Sequence, residues 1–263
     1  MNVVLDKLIN KTTQTNQLES LGVVTWKAIP SSVIGGLPRK IIEKFKFKNE
    51  VLGDMFVSSR KDEIGGNYFT TEVKNKLGKV FGDELYSIDE KNMNMFGFNI
   101  KVNPEYRQKK MFRFGEVLRL ATVMEMIENK SPHIKIVSKD TAIYFHSKYK
   151  FVPNFIEFKK RDKLLQDILK EQSPEFLSLK KEAQSLIELV EKNKNDAEIQ
   201  RQLTKKTNDL VRRYIDLALK SKNPQKEHPL SEPIEMILTK ESVVANKDFF
   251  NSLFKKYRID YKI

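Results

Sequence analysis

The sequence predicts an α+β fold: a central, mostly antiparallel mixed sheet flanked by helices, with an antiparallel helical hairpin inserted late in the chain. Three observations predict it. Residues 68–102 hold three strand-like apolar runs separated by turn residues. A strand–loop–helix unit spans residues 94–129, where apolar spacing changes from that of a strand to that of a helix. Residues 161–222 then lose strand patterning and carry apolar side chains three and four apart.

Taken in order, residues 3–21 read as a short helix or irregular lead, and Gly22–Pro30 as a first strand built on Val23, Val24, Trp26, Ala28 and Ile29. Ile34-Gly-Gly-Leu-Pro38 is a turn, with Pro38 placed to open a helix through Ile41, Ile42 and Phe45. Residues 51–57 fit helix or strand equally well. Gly65-Gly66-Asn67 turns the chain into a strand at Tyr68–Val73. Asn75–Gly78 turns it into Lys79–Ile88, and Asp89–Asn92 into Met95–Val102. Together these three strands make an antiparallel meander.

Pro104 ends the third strand because it has no N–H to donate. Phe114, Val117, Leu118, Ala121, Met124 and Ile127 then recur at helical spacing, so a helix runs to about Asn129. Its N-terminus points unsatisfied N–H groups and the positive dipole end back towards the strand tip. Arg107, Lys109, Lys110 and Arg113 crowd the same place, a setting suited to phosphate or pyrophosphate.

Pro132 breaks the helix and Ile134–Val137 is a short strand, which a crossover helix would place parallel to Met95–Val102. Ser138-Lys-Asp140 is an N-cap cluster for a helix carrying Ala142, Ile143, Phe145 and Tyr149, and Phe151–Phe158 is a further strand. The hairpin arms carry Phe176, Leu179, Ala183, Leu186 and Val190, then Leu203, Thr207, Leu210, Tyr214 and Leu217, with a turn at 193–196. Ile234, Met236 and Leu238 alternate in a last strand. Phe249, Phe250, Leu253, Phe254 and Tyr257 line a terminal amphipathic helix, a core-docking stripe.

At 263 residues the chain is long enough to bury a full core. An apolar content of 40%, with 17 Phe, excludes a disordered chain. No apolar run approaches bilayer length, and the N-terminus lacks the basic start and apolar middle of a signal peptide. Zero cysteines exclude disulfides, thiol nucleophiles and cysteine-ligated zinc, and 3 His make a histidine metal cluster an unfavoured reading. A cytoplasmic, metal-independent protein with no membrane association is the expectation. The net charge of +13 suits a polyanionic cofactor or nucleic acid. Because the lysines are spread along the chain rather than gathered in one block, a merely solvating lysine-rich surface is the favoured reading of that charge, and nucleic acid is the less favoured partner.

A meander followed by strand, basic loop, helix, strand, helix and strand resembles the Gcn5-related N-acetyltransferase (GNAT) superfamily over roughly residues 65–158, together with the strand at 233–239. Val102-Asn-Pro-Glu-Tyr-Arg107 is similar to the family's strand-end segment. Ala142-Ile-Tyr-Phe-His-Ser-Lys-Tyr-Lys-Phe151 is similar to its late helix. The resemblance implies an acetyl-coenzyme A-dependent N-acyltransferase acting by direct attack of a primary amine, of a small molecule or protein, on the thioester. It implies that Asn99–Val102, with Ile100, Lys101 and Val102 foremost, offer backbone groups to the pantetheine arm. It also implies that Arg107, Lys110, Met111, Phe112, Arg113, Phe114 and Gly115 hold the pyrophosphate.

Departures from the family pattern are specific. Counted from Arg107, the family's two loop glycines are Lys110 and Phe112; counted back from Gly115, the loop is about one helical turn longer and starts at Lys110. His146 stands where the family has the tyrosine that protonates the leaving thiolate, and a histidine can do so near neutral pH. Lys150 occupies a glycine position. No acid lies on Met95–Val102; Glu84 and Glu72 on neighbouring strands are candidate bases to which no role is assigned.

The chain thus divides into an acyltransferase core over residues 1–160, a hairpin insertion over 161–228 and a final strand and helix over 229–263. The hairpin is read as serving homodimerisation, acceptor selection or partner docking. Two alternatives stand beside the enzyme: a non-catalytic GNAT-like binding module with the hairpin as its partner surface, and a basic RNA-associated factor.

Overall fold

Turns rich in Asn, Asp and Gly set the first part of the fold. The computed structural model describes residues 27–30, 40–61, 67–89, 91–107 and 113–263. The chain divides into two units, Met1–Pro132 with Lys240–Ile263, and His133–Thr239. The expected lead at 3–21, the start of the first strand at 22–26, and the turns at 34–38 and 65–66 lie outside the described residues.

In the first unit, β1 (Lys27–Pro30), β2 (Lys40–Asn49), β3 (Gly53–Lys61), β4 (Tyr68–Asn75), β5 (Val80–Ile88) and β6 (Met95–Val102) each pair antiparallel with the next. Asn75 makes the β4–β5 reversal by accepting from the backbone N–H groups of Leu77 and Lys79 at 3.0 Å through Oδ1. Gly78 supplies the left-handed φ of 78° that the turn needs. Asp89 Oδ1 accepts from Lys91 N in the same way before β6.

The helix expected through Ile41, Ile42 and Phe45 is instead β2. Its period is two: Phe45, Phe47 and Asn49 are buried while Lys46 and Lys48 are exposed, a pattern that no helical stripe produces. The register shifts between Glu43 and Phe45, a bulge at Lys44 that turns this lysine inward. The ambiguous 51–57 stretch is a turn and then β3, with Asn49 Oδ1 accepting from Val51 N and Leu52 N at 3.0 Å.

After a single helical turn, α1 (Pro104–Arg107), helix α2 (Phe114–Glu128) packs against β4, β5 and β6. Residues 117–126 of α2 are all buried, so the helix is covered on every side. The two C-terminal helices, Lys240–Ala245 and Lys247–Lys256, supply part of that cover. Phe250 and Phe254 are fully buried, as the amphipathic stripe requires, and each such side chain contributes about 2 kcal/mol by leaving water. Lys240 N donates to Pro132 O at 2.9 Å, so the chain re-enters this unit where it left.

The second unit holds β7 (His133–Ser138), α3 (Ile143–Lys148), β8 (Val152–Phe155), α4 (Phe158–Leu169), α5 (Leu177–Lys192), α6 (Ala197–Ala218), the short α7 (Pro224–Glu227) and β9 (Ile234–Thr239). The last strand lies between β7 and β8, antiparallel to both. Leu179, Ala183, Leu186 and Val190 of α5 and Leu203, Thr207, Leu210 and Tyr214 of α6 are buried, as their spacing predicts. Asp196 caps α6 by accepting from Glu198 N and Ile199 N at 3.0 Å.

Two local expectations change. The strand expected to reach Phe158 stops at Phe155, and α4 starts at Phe158, burying Leu164, Leu165 and Ile168 against α5 and α6. The hairpin is therefore joined by a third helix. Ser138–Asp140 does not act as a side-chain cap: a 3-10 turn at Asp140–Ala142 leads into α3, and Ser138 Oγ donates to Lys139 O at 3.1 Å.

Candidate functional site

β6 carries the strand half of the candidate site. Its pairing runs Gly82↔Val102, Asp83↔Lys101, Glu84↔Ile100 and Leu85↔Asn99, then jumps to Tyr86↔Gly97. Phe98 therefore stands opposite no residue of β5, a bulge that turns the strand and re-aims backbone groups beside Asn99–Val102. Ile100 and Val102 are half-buried, while Lys101 is exposed. Gly82 lets β6 come this close: a Cβ there would lie 2.8 Å from Lys101 O and 3.3 Å from Leu118 Cδ1.

Beyond Val102 the chain turns on Asn103, which donates from its backbone N to Phe81 O at 2.9 Å and accepts from Glu105 N through Oδ1 at 3.2 Å. Pro104 opens the single turn that Arg107 ends. Lys109, Lys110, Met111 and Phe112 lie outside the described residues.

The helix half starts at Arg113, which adopts a left-handed conformation (φ 41°, ψ 33°) and accepts from Glu116 N at 3.0 Å and Val117 N at 3.3 Å. The Arg113 side chain itself makes no capping hydrogen bond to α2. A helix start of this kind directs N–H groups and positive partial charge outward, and Gly115 at its second position puts no side chain in the way. Arg113 adds its exposed guanidinium side chain. Glu116 in the same turn is occupied by Lys256 Nζ and the Tyr257 hydroxyl, which limits its opposition to an anion.

Phe114 anchors this end of the helix in a cluster of rings. Its centroid lies 5.4 Å from Phe81 and 6.0 Å from Tyr106, which are 5.0 Å from each other. Strand end, α1 and the start of α2 are thereby tied together, so Ile100–Val102 and Arg113–Gly115 belong to one construction. Lys79 joins it: Nζ donates to Tyr106 Oη at 3.2 Å and lies 5.5 Å from the Phe81 ring centroid. That hydrogen bond holds the Lys79 ammonium above the ordinary lysine range. Sequence reasoning passed over Lys79. The signal was its place directly after the β4–β5 turn, at the end of β5 that antiparallel pairing sets beside Val102.

Neither candidate base is a free carboxylate. Glu84 is buried under α2, where Arg119 Nη1 donates to Oε1 at 3.1 Å and the Thr122 hydroxyl donates to Oε2. Burial pushes its carboxyl above the usual range, against the pull of Arg119 and Thr122. Glu72 accepts from Arg60 Nη2 at 3.3 Å.

His146 lies in the second unit, on α3. It is 9% exposed, with ring centroids 5.1 Å from Phe145 and 5.9 Å from Phe151, and its carbonyl accepts from Tyr149 N at 2.9 Å. Lys150, at the position where the family has glycine, adopts φ 69°, the left-handed turn that glycine favours. The same unit buries a polar cluster the sequence did not announce. Glu171 Oε2 meets His228 Nδ1 at 2.6 Å and accepts from Tyr214 Oη at 3.3 Å, and Tyr144 Oη donates to His228 O. Burial drives both tyrosines far above the ordinary phenol range. With Glu171 and His228 57 positions apart along the chain, no local motif marks the pair.

Among the described residues, no cluster of His, Cys, Asp or Glu is arranged to hold a metal, and no helix is long and apolar enough to cross a membrane.

No protein-family model and no curated protein sequence matches this chain. Solved structures do match. Gcn5 of Tetrahymena aligns over 35% of this chain and 57% of its own, at 12% identity and a TM-score of 0.31. A GNAT-family acetyltransferase from Elizabethkingia anophelis, solved with acetyl-CoA bound, aligns over 34% and 56%, at 13% identity and a TM-score of 0.29. The ribosomal-protein-S18-alanine N-acetyltransferase of Escherichia coli aligns over 34% and 56%, at 17% identity and a TM-score of 0.30. The chain spans a little over half the length of these three acetyltransferases, and they are what it is similar to in fold.

Proposed function

We propose that this protein is an acetyl-coenzyme A-dependent N-acyltransferase that transfers an acetyl group to a primary amine of a small molecule or protein. The observation that carries the reading is the union of bulged β6 with the start of α2, held together by the Phe81–Tyr106–Phe114 rings. Coenzyme A fits the chemistry of the residues present: a diphosphate needs outward N–H groups and cations, and Arg113 and Gly115 at the start of α2, with Lys79 held on Tyr106, support that reading. When bound, acetyl-coenzyme A supplies the activated thioester.

In this reading the protein's own residues bind, orient and move a proton. Arg113, Phe114 and Gly115, with Arg107, Lys110, Met111 and Phe112, hold the pyrophosphate. Backbone groups of Ile100, Lys101 and Val102 align the extended arm as a strand would, and the bulge at Phe98 re-aims an N–H towards developing negative charge. His146 gives its proton to the departing sulfur. The three helices α4–α6, which run from Phe158 through much of the 161–228 insertion, present a surface for acceptor choice or a second copy of the chain, in a cytoplasmic setting.

A second reading, a non-catalytic binding module, is favoured by the engagement of Glu84 and Glu72 in ion pairs and by the burial of His146. Thermal unfolding with and without acetyl-coenzyme A separates the readings. Ligand at 100 times its Kd adds about 2.7 kcal/mol and raises the midpoint. A shift that Arg113→Ala weakens, followed by thiol release with an added amine, supports the enzyme. A shift without thiol release across a broad amine panel supports the binding module, and no shift at millimolar ligand removes the cofactor from both readings.

A further inference from the structure

We propose that the buried Glu84–Arg119 ion pair is a positioning device that sets the axial register of α2, and so the placement of its N-terminal N–H groups beside Ile100–Val102. The proposal rests on the acyltransferase reading for its use, though not for its structural content.

Three observations meet here. The first is geometric: one carboxylate takes Arg119 Nη1 on Oε1 at 3.1 Å and the Thr122 hydroxyl on Oε2. Arg119 and Thr122 are three residues apart, on one face of the helix, so Glu84 grips α2 at two points. The second is burial: Glu84 and Arg119 are each 1% exposed, and Thr122 is 2% exposed. The third is location: Glu84 stands opposite Ile100, two residues along β5 from Gly82, where an added Cβ would meet both Lys101 O of β6 and Leu118 Cδ1 of α2. Arg119 is five residues into the helix, about 7.5 Å from its start.

A fully buried ion pair contributes little net stability, since desolvation offsets its attraction and apolar residues of like volume do as well. Its directionality is what apolar packing lacks. Val117, Leu118, Leu120, Ala121, Val123, Met124 and Met126 bury α2 through non-directional contacts, which yield to a small axial shift more readily than a hydrogen bond does. A one-residue slip turns the helix by about 100° and carries the guanidinium off Oε1, leaving a buried charge unpaired. The pair therefore discriminates among registers. An anion held by backbone N–H groups needs placement to within about 0.5 Å, which makes that discrimination useful at the helix start.

The test compares wild type with Glu84→Gln and with the apolar double variant Glu84→Met/Arg119→Met, using two readouts. Amide hydrogen exchange is followed at 114–117 against 121–126 of the same helix, and coenzyme A affinity is measured by calorimetry. The expected result is a folded double variant with at least tenfold faster exchange confined to 114–117 and about tenfold weaker binding. Glu84→Gln, which keeps the shape and an acceptor for Arg119, should show the same local acceleration to a smaller degree. Wild-type exchange at 114–117 in whichever variant folds overturns the proposal. Exchange that rises equally along the whole helix also overturns it, because that marks stability alone. Faster exchange at 114–117 in a protein whose wild type binds no coenzyme A sustains the positioning role and removes the acyltransferase reading.

Discussion

His228 Nδ1 and Glu171 Oε2 lie 2.6 Å apart, closing the C-terminal end of the helical insertion onto the link between α4 and α5. Both side chains are buried, and every other lone pair of the carboxylate is engaged: Oε1 accepts from Gln172 N at 2.8 Å and Ser173 N at 3.1 Å. Burial alone would raise the Glu171 carboxyl, but these donors and His228 outweigh it and hold the carboxyl below its ordinary value. A depressed folded-state value means that the ionised form stabilises the fold above the unfolded-state value near 4.5, and that this contribution is lost as pH falls below it. Glu171→Ala should cost about 3 kcal/mol in urea unfolding at pH 7, since it strands several buried donors. The difference from wild type should shrink as the pH is lowered towards 3. A difference that is constant with pH would exclude ionisation as its source.

Glu128 gives the opposite sign. Burial raises its carboxyl to about 7, with Glu125 adding to the rise and Lys44, 3.7 Å away, opposing it. The folded state then holds a proton that the unfolded state has released, so stability falls as pH rises from 4.5 to 7. Glu128→Gln should remove that fall and stabilise the protein above pH 7, by an amount that solvent screening keeps small because the residue is exposed. Unfolding midpoints of the two proteins from pH 5 to pH 8 check it: the curves should converge at the acid end and separate at the alkaline end.

Much of the architecture was legible because it is written in local patterns. The β4–β5–β6 meander followed from Asn75–Gly78 and Asp89–Asn92, whose side chains make the turn hydrogen bonds themselves. The strand–turn–helix unit followed from Pro104 and the spacing of Phe114, Val117 and Leu118. Where the pattern was short, Pro38 misled: a helix-opening proline outweighed the period of two in Phe45, Phe47 and Asn49. What the sequence hid was long-range. Lys44 reads as one lysine among many until a bulge turns it under the sheet towards Glu125, 81 positions away along the chain. Lys79 reads as the first residue of a strand until Tyr106 meets it. His146 was legible as a position in a helix, but its burial against Phe145 and Phe151 was not.

Arg113 occupies a left-handed conformation that a side chain with a Cβ enters at a cost of about 1 kcal/mol relative to glycine. Replacement by glycine should therefore stabilise the ligand-free protein slightly while removing a cation from the start of α2. The expected result for Arg113→Gly is a raised unfolding midpoint without ligand and a coenzyme A affinity lower by about tenfold. Arg113→Ala keeps the strain and loses the charge, so it should lower affinity without the gain in stability. If both variants bind as wild type does, the guanidinium takes no part in anion binding.

Gly82 should tolerate no side chain. An alanine Cβ there would sit 2.8 Å from Lys101 O, a backbone atom of β6 that cannot move without opening the pairing of Gly82 with Val102. Leu118 Cδ1 at 3.3 Å closes the other side, so α2 would have to lift away with the strand. Overpacking of this kind costs about 1–3 kcal/mol. Because the displaced atoms belong to Lys101 and Leu118, the damage should reach the site as well as the core. Gly82→Ala is thus expected to lower the unfolding midpoint and to weaken coenzyme A binding more than an equally destabilising core truncation elsewhere, such as Ile168→Val in α4. Equal affinities at equal stability loss would show that the approach of β6 to α2 matters for packing alone.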